Sequence, residues 1–159
     1  MFFVTSSIVE KRNLLQSDRS AKLLIQILYH YRSQGKFLLH GFVIMPDHFH
    51  VLISLGPEIS IERAVQFIKG GFAFRAGKEL GFKAPVWQRG FSEVRINDVV
   101  SLVRIHDYIA QNPVKRHLVQ IPAEFLHSSS YKGFELDEVP QGLKPADSLF
   151  LIGRSKDVP

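Results

Sequence analysis

Two hydrophobic periods alternate along this chain, and the places where one gives way to the other mark out its elements. Phe2-Phe3-Val4-Thr5 is a compact β-prone run and reads as an opening strand. A polar link from Asn13 to Asp18 follows, with Ser17 or Asp18 placed to cap a helix. Leu24, Ile27, Leu28 and Tyr31 then recur at i, i+3, i+4 and i+7, which predicts a helix with one apolar stripe that ends by Gly35. Phe37 to Met45 reads as a second strand. Pro46-Asp47 turns the chain into a third, His48-Phe49-His50-Val51-Leu52-Ile53, which stops at Gly56-Pro57.

Ser60 opens a second helix, with Glu62 in its first turn. Ile61, Val65, Ile68 and Phe72 form its buried stripe, while Arg63, Gln66 and Lys69 fall largely on the other side. Gly70-Gly71 costs that helix about 1 kcal/mol per glycine against alanine, and marks either a kink or a close approach by another backbone. Pro85 to Ile96 reads as a fourth strand. A third helix runs from a cap at Asp98 to about Gln111, with apolar contacts from Val99, Leu102, Val103, Ile105 and Ile109. Pro113 disfavours a helical Asn112, so the helix is expected to stop there. Beyond Pro122 the periodicity fades into an irregular tail, within which Phe150-Leu151-Ile152 is a candidate docking segment.

Strand, helix, strand, strand, helix, strand is the split βαβ order. The expectation is an α+β, ferredoxin-like domain over residues 1–122 with an added C-terminal helix, and a tail over 123–159. Its antiparallel sheet carries two helices on one face and leaves the other for a site.

Composition narrows the function. At 159 residues the chain is one domain by length. A net charge of +5, with an isoelectric point near 9.6, makes nucleic acid the first partner class to test. With no cysteine, disulfides and thiolate metal sites are out. No apolar run reaches the roughly 18 residues of a membrane span, and no signal-peptide layout is seen, so a cytoplasmic protein with no membrane partner is expected.

The chemistry-bearing residues sit on the third strand and the third helix. Side chains alternate along a strand, so His48 and His50 project together, with Leu52 and Ser54, away from the core-side Phe49, Val51, Ile53 and Leu55. Two parallel imidazoles are half of a metal site, although a bare His-x-His is more often packed than ligating. A zinc deaminase is excluded: position 50 is not Glu and there is no Pro-Cys-x-x-Cys. Tyr108 and Asn112 lie one helical turn apart on one face. A phenol can act as nucleophile and an amide oxygen can complete a hard-cation site, but by themselves the two residues read more readily as packing and helix termination.

Together, Met45-Pro46-Asp47-His48-Phe49-His50-Val51-Leu52-Ile53 and Asp107-Tyr108-Ile109-Ala110-Gln111-Asn112-Pro113-Val114 resemble the HUH single-tyrosine transposases, and among them the REP-associated tyrosine transposases. Phe2-Phe3-Val4-Thr5, Trp87-Gln88-Arg89-Gly90-Phe91 and Ser129-Ser130-Tyr131 extend the resemblance over roughly residues 2–132. Phe91-Ser92-Glu93-Val94-Arg95 departs from it, lacking the tyrosine and histidine often found there.

The resemblance implies that His48, His50 and Asn112 hold Mg²⁺ or Mn²⁺, with Asp47 a candidate support behind them. It implies that Tyr108 attacks a phosphodiester of single-stranded DNA beside hairpins resembling repetitive extragenic palindromes. A 5′-phosphotyrosine link and a free 3′-OH would result, and strand rejoining would follow without ATP. It also implies a nucleoid-associated monomer with the tyrosine in cis, a homodimer with exchanged tyrosines being the alternative. Neither Asp47 nor His106 is assigned as general base. Candidate phosphate contacts are Lys69, Arg75, Arg89, Arg95, Lys115 and Arg116, and candidate stacking residues are Trp87, Phe91 and Phe74. Two other functions fit the same residues: a domesticated module that holds hairpins without cutting them, and a metallohydrolase of small phosphoesters in which Tyr108 is structural.

Overall fold

A computed structural model of the chain describes residues 1–143. Its elements are β1 (Phe2–Ser7), α1 (Asp18–Ser33), β2 (Phe37–Ile44), β3 (His48–Leu55), α2 (Ile61–Leu80), β4 (Ser92–Arg95) and α3 (Val99–Lys115). The four strands form one antiparallel sheet in the order β2-β3-β1-β4, with the histidine strand at its centre. This is the expected ferredoxin-like arrangement with one helix added. The Phe150-Leu151-Ile152 segment lies outside the described residues.

The caps follow the sequence. Ser17 accepts from the Ser20 amide, Ser60 from that of Arg63 and Asp98 from that of Ser101, each satisfying a donor the first helical turn leaves free. α1 and α2 cover one face of the sheet, where Leu24, Leu28, Val65, Ile68 and Phe72 meet Phe49, Val51 and Ile53. α3 covers the other, packing Ile105 and Ile109 on Phe3, Val43 and Leu52. With both faces occupied, β2 and β3 are buried almost throughout, which explains their near-continuous apolar sequence. At Gly71 the close neighbour is a side chain: an added Cβ would lie 3.0 Å from the Tyr31 ring, so the glycine lets α1 and α2 come together.

Three expectations are corrected. The fourth strand does not span 85–96. Gln88 N–H bonds the Ser7 carbonyl and Ser92 pairs with Thr5, so three residues, Arg89 to Phe91, must fit where β1 has only Ser6. They loop out through Gly90 at φ +80, leaving a strand of Ser92–Arg95. The third helix does not stop before Pro113 but continues to Lys115. A proline in the last turn forfeits one amide donor, and the turn closes through Arg116 N–H on the Asn112 carbonyl and Leu118 N–H on that of Pro113. Val103 lies opposite the Ile105–Ile109–Asn112 stripe and projects into solvent.

The described part of the tail is irregular in backbone yet tied down. Ile44 N–H donates to the His127 carbonyl, Ser129 N–H to that of Phe42, and Leu39 N–H to the Asp137 carboxylate. Asp137 also receives Arg32 through two bonds of 2.8 Å. The outer edge of β2, otherwise an open row of donors and acceptors, is thereby covered.

Candidate active site

Register decides what meets what on the α3 face. Thr5 lies opposite His50 and Ser7 opposite His48 across the β1–β3 pair. The imidazoles are 4.8 Å apart between ring centres and meet edge to face. Phe3 stacks on His50 at 5.1 Å, and the Tyr108 ring packs edge-on against both, 5.2 Å from His50 and 5.8 Å from Phe3. The tyrosine and the histidine pair of one chain therefore share one aromatic cluster. Asn112 lies one turn beyond, 6% exposed, with its side chain close enough to bear on the Tyr108 phenol. The helix's passage through Pro113 keeps this amide on the tyrosine's face.

Each imidazole is oriented by a partner on its Nδ1. Asp47 Oδ1 lies 2.6 Å from His48 Nδ1. A carboxylate below its ordinary protonation range can only accept, so Nδ1 carries the hydrogen and Nε2 keeps its lone pair. Thr5 Oγ1 lies 2.7 Å from His50 Nδ1. His50 Nε2 is buried without a hydrogen-bond partner, an arrangement that costs about 1–3 kcal/mol when nothing occupies it.

Burial keeps both rings neutral. It lowers the His48 pKa below the usual imidazole value against the opposing pull of Asp47. It pushes His50 down to about 3, helped by the neighbouring His48, Arg116 and Lys11. Burial works against the charge of Asp47, but His48, Lys11 and Arg116 together hold its carboxyl below the ordinary range. Tyr108 moves the other way: burial raises its pKa, while Arg116 and the Asn112 hydrogen bond oppose the rise.

These groups suit a hard or borderline divalent cation: two neighbouring neutral imidazoles, one with a buried Nε2 that has no partner, and a side-chain amide nearby. Among the described residues no three His, Cys, Asp or Glu side chains gather in a way that could hold a metal ion. His106 is not part of this cluster. Its ring lies against Gly41 on β2.

The candidate DNA contacts divide. Arg89, Lys115 and Arg116 are exposed, and Lys115 lies over the Tyr108 ring at 6.0 Å. Arg95 is exposed over Phe2. Lys69 donates to the carbonyls of Gln88 and Gly90 and so holds the 88–91 loop. Arg75 is paired with Glu79 on its own helix. Trp87 packs on Phe49 and Phe72 and donates to the Lys69 carbonyl, which gives it a core role in this conformation. Phe74 is exposed beneath Lys78, and Phe91 is half-buried. Thr5 and Lys11 carried no signal in the sequence, because their place in the site depends on the β1–β3 register and a local turn.

Comparison with known proteins bears on the family and the fold. The family described as "Transposase IS200 like" matches residues 4–112, from β1 to Asn112. A candidate REP-associated tyrosine transposase of Haemophilus influenzae is 27% identical over 146 residues, covering 80% of this chain and 82% of that protein. The solved structure of a REP-associated tyrosine transposase bound to a REP hairpin superposes with a TM-score of 0.69 at 20% identity, over 89% of each chain. A candidate transposase from Deinococcus radiodurans gives 0.54 at 23% identity, over 68% of this chain and 86% of that one. At these identities the two structures speak for the fold.

Proposed function

Because the chain belongs to the IS200-like transposase family, we propose that it cuts and rejoins single-stranded DNA beside hairpins through a covalent bond to Tyr108. The observation that carries this is the packing of the Tyr108 ring against His50 within one chain. That a structural relative is bound to a REP hairpin supports hairpin DNA as the substrate.

The chain's own residues account for most of the chemistry. Tyr108 Oη attacks the phosphorus and gives up its proton, while the bond to the 3′-oxygen breaks and that oxygen leaves as a 3′-OH. The 5′-phosphate stays on the tyrosine until a 3′-OH attacks it in the reverse sense, so the bond energy is conserved and no nucleotide cofactor is needed. Phe3 and Ile109 hold the phenol in place, which converts attack into a positional matter. Arg116 favours the phenolate and the charge on the phosphate alike. His48, His50 and Asn112 would hold Mg²⁺ or Mn²⁺, with Asp47 and Thr5 fixing the imidazoles. A cation there would neutralise the non-bridging oxygens and assist loss of the phenol proton. With the tyrosine beside its own histidines, one chain suffices, and a monomer is the working state.

Incubating the protein with a hairpin-bearing single strand and Mn²⁺ should give a covalent adduct that survives denaturing electrophoresis. An adduct of undiminished yield from Tyr108→Phe would reject this nucleophile. Retained hairpin binding with no adduct under any divalent metal would favour the non-cleaving module instead.

A further inference from the structure

The loop that shortens β4 leaves an open groove of about 500 Å³ between the edge of β1 and the 88–92 segment. Thr5, Ser7, Lys11, Arg89 and Phe91 are among its nine lining residues, which include two cations and several hydroxyls but no carboxylate. The groove also abuts the active site. Thr5 is the residue that touches His50 Nδ1, and Ser7 faces His48 across the sheet.

Lys11 reaches this place by an unusual backbone. Glu10 and Lys11 both adopt left-handed φ, at +56 and +54, a conformation non-glycine residues rarely hold. The resulting turn brings Lys11 Nζ back to within 2.9 Å of Ser7 Oγ. Its charge is close enough to bear on Asp47, His48 and His50. An ammonium has three N–H donors, and only one is used on Ser7, so it can also receive phosphate oxygens.

We propose that this groove seats the phosphodiester backbone of the single strand flanking the scissile bond, with Lys11 its phosphate contact next to the histidines and Arg89 its contact at the far end. The occupant follows from charge: a cationic, hydroxyl-lined and acid-free trough suits a polyanion, and half-buried Phe91 offers a face to an unpaired base. The inference rests on the proposed function for its substrate, and it goes further by fixing the strand's path and a residue that no sequence motif marks.

The test compares a blunt hairpin oligonucleotide with the same hairpin carrying an oligothymidylate arm, measuring binding by fluorescence anisotropy across a salt series. Lys11→Met should flatten the plot of log affinity against log salt by about 0.7 on the armed hairpin and leave the bare hairpin's slope unchanged. Lys11→Arg should restore it, and Arg89→Gln should repeat the Lys11→Met effect. Wild-type slopes for both Lys11→Met and Arg89→Gln on the armed hairpin would overturn the proposal, as would equal flattening on both substrates. Lys11 and Arg89 are exposed, so thermal melts of the variants should match wild type. The measurement needs no chemistry, so a wild-type protein that fails to form an adduct would sink the cleavage reading without touching this result.

Discussion

Replacing Asp47 by alanine tests the metal reading at a residue that would touch neither metal nor DNA. Its carboxylate sits 2.6 Å from His48 Nδ1, and the pair is 19% and 7% exposed, so water screens the bond little. Without it, the two neutral tautomers of His48 compete, and one of them points a hydrogen from Nε2 at the cation. Loss of such a supporting carboxylate lowers metal affinity by about 10- to 100-fold. At about 1.4 kcal/mol per decade, that is about 1.4–2.8 kcal/mol. The main chain need not move, because the Asp47 carbonyl still accepts from Ile8 N–H at 2.8 Å. Calorimetric titration with Mn²⁺ should show the drop in Asp47→Ala and no drop in Tyr108→Phe. Mn²⁺ affinity in Asp47→Ala within about twofold of wild type, with the fold intact, would refute the reasoning.

Other consequences follow from the packing and the charges. Gly56→Ala should destabilise the protein by about 1–3 kcal/mol in urea unfolding, because the new Cβ would fall 2.2 Å from the Gly35 carbonyl, a backbone atom that cannot swing away. Acid should weaken the fold through His50: unfolded imidazole takes its proton near pH 6.5, whereas folded His50 does so only at about 3. Its contribution is therefore complete above about pH 6.5 and is lost at about 1.4 kcal/mol per unit as pH falls toward 3. His50→Gln should make that acid limb shallower by about one proton, measured by chemical denaturation at a series of pH values. Asp137→Ala should leave Arg32 and the Leu39 amide without their partner, speed hydrogen exchange at Leu39 and cost about 1–3 kcal/mol.

Much of this was legible in the sequence because it depends on local periodicity. The helix caps at Ser60 and Asp98, the parity that aims His48 and His50 together, and the one-turn spacing of Tyr108 and Asn112 all survive in the fold. What the chain did not announce depends on registers between distant segments. Thr5 reaches His50, and Ser7 comes to lie opposite His48, only because β1 pairs with β3 at one particular offset. The fourth strand looked long because Val86, Trp87 and Phe91 are β-prone, but the mismatch of three residues against Ser6 is visible only once both attachment points to β1 are known. Pro113 looked like a helix stop because its local penalty is real. Packing of Ile105, Ile109 and Asn112 against the sheet outweighs it.

In the proposed mechanism one chain supplies both the nucleophile and the imidazoles that serve it. The direct measurement mixes Tyr108→Phe with His50→Ala and assays labelled hairpin DNA for covalent adduct in Mn²⁺, with wild type alongside. Adduct from wild type and none from either variant or their mixture is the expected result. Adduct restored by mixing the two inactive chains would mean that the tyrosine works on a partner's histidines, and would contradict it.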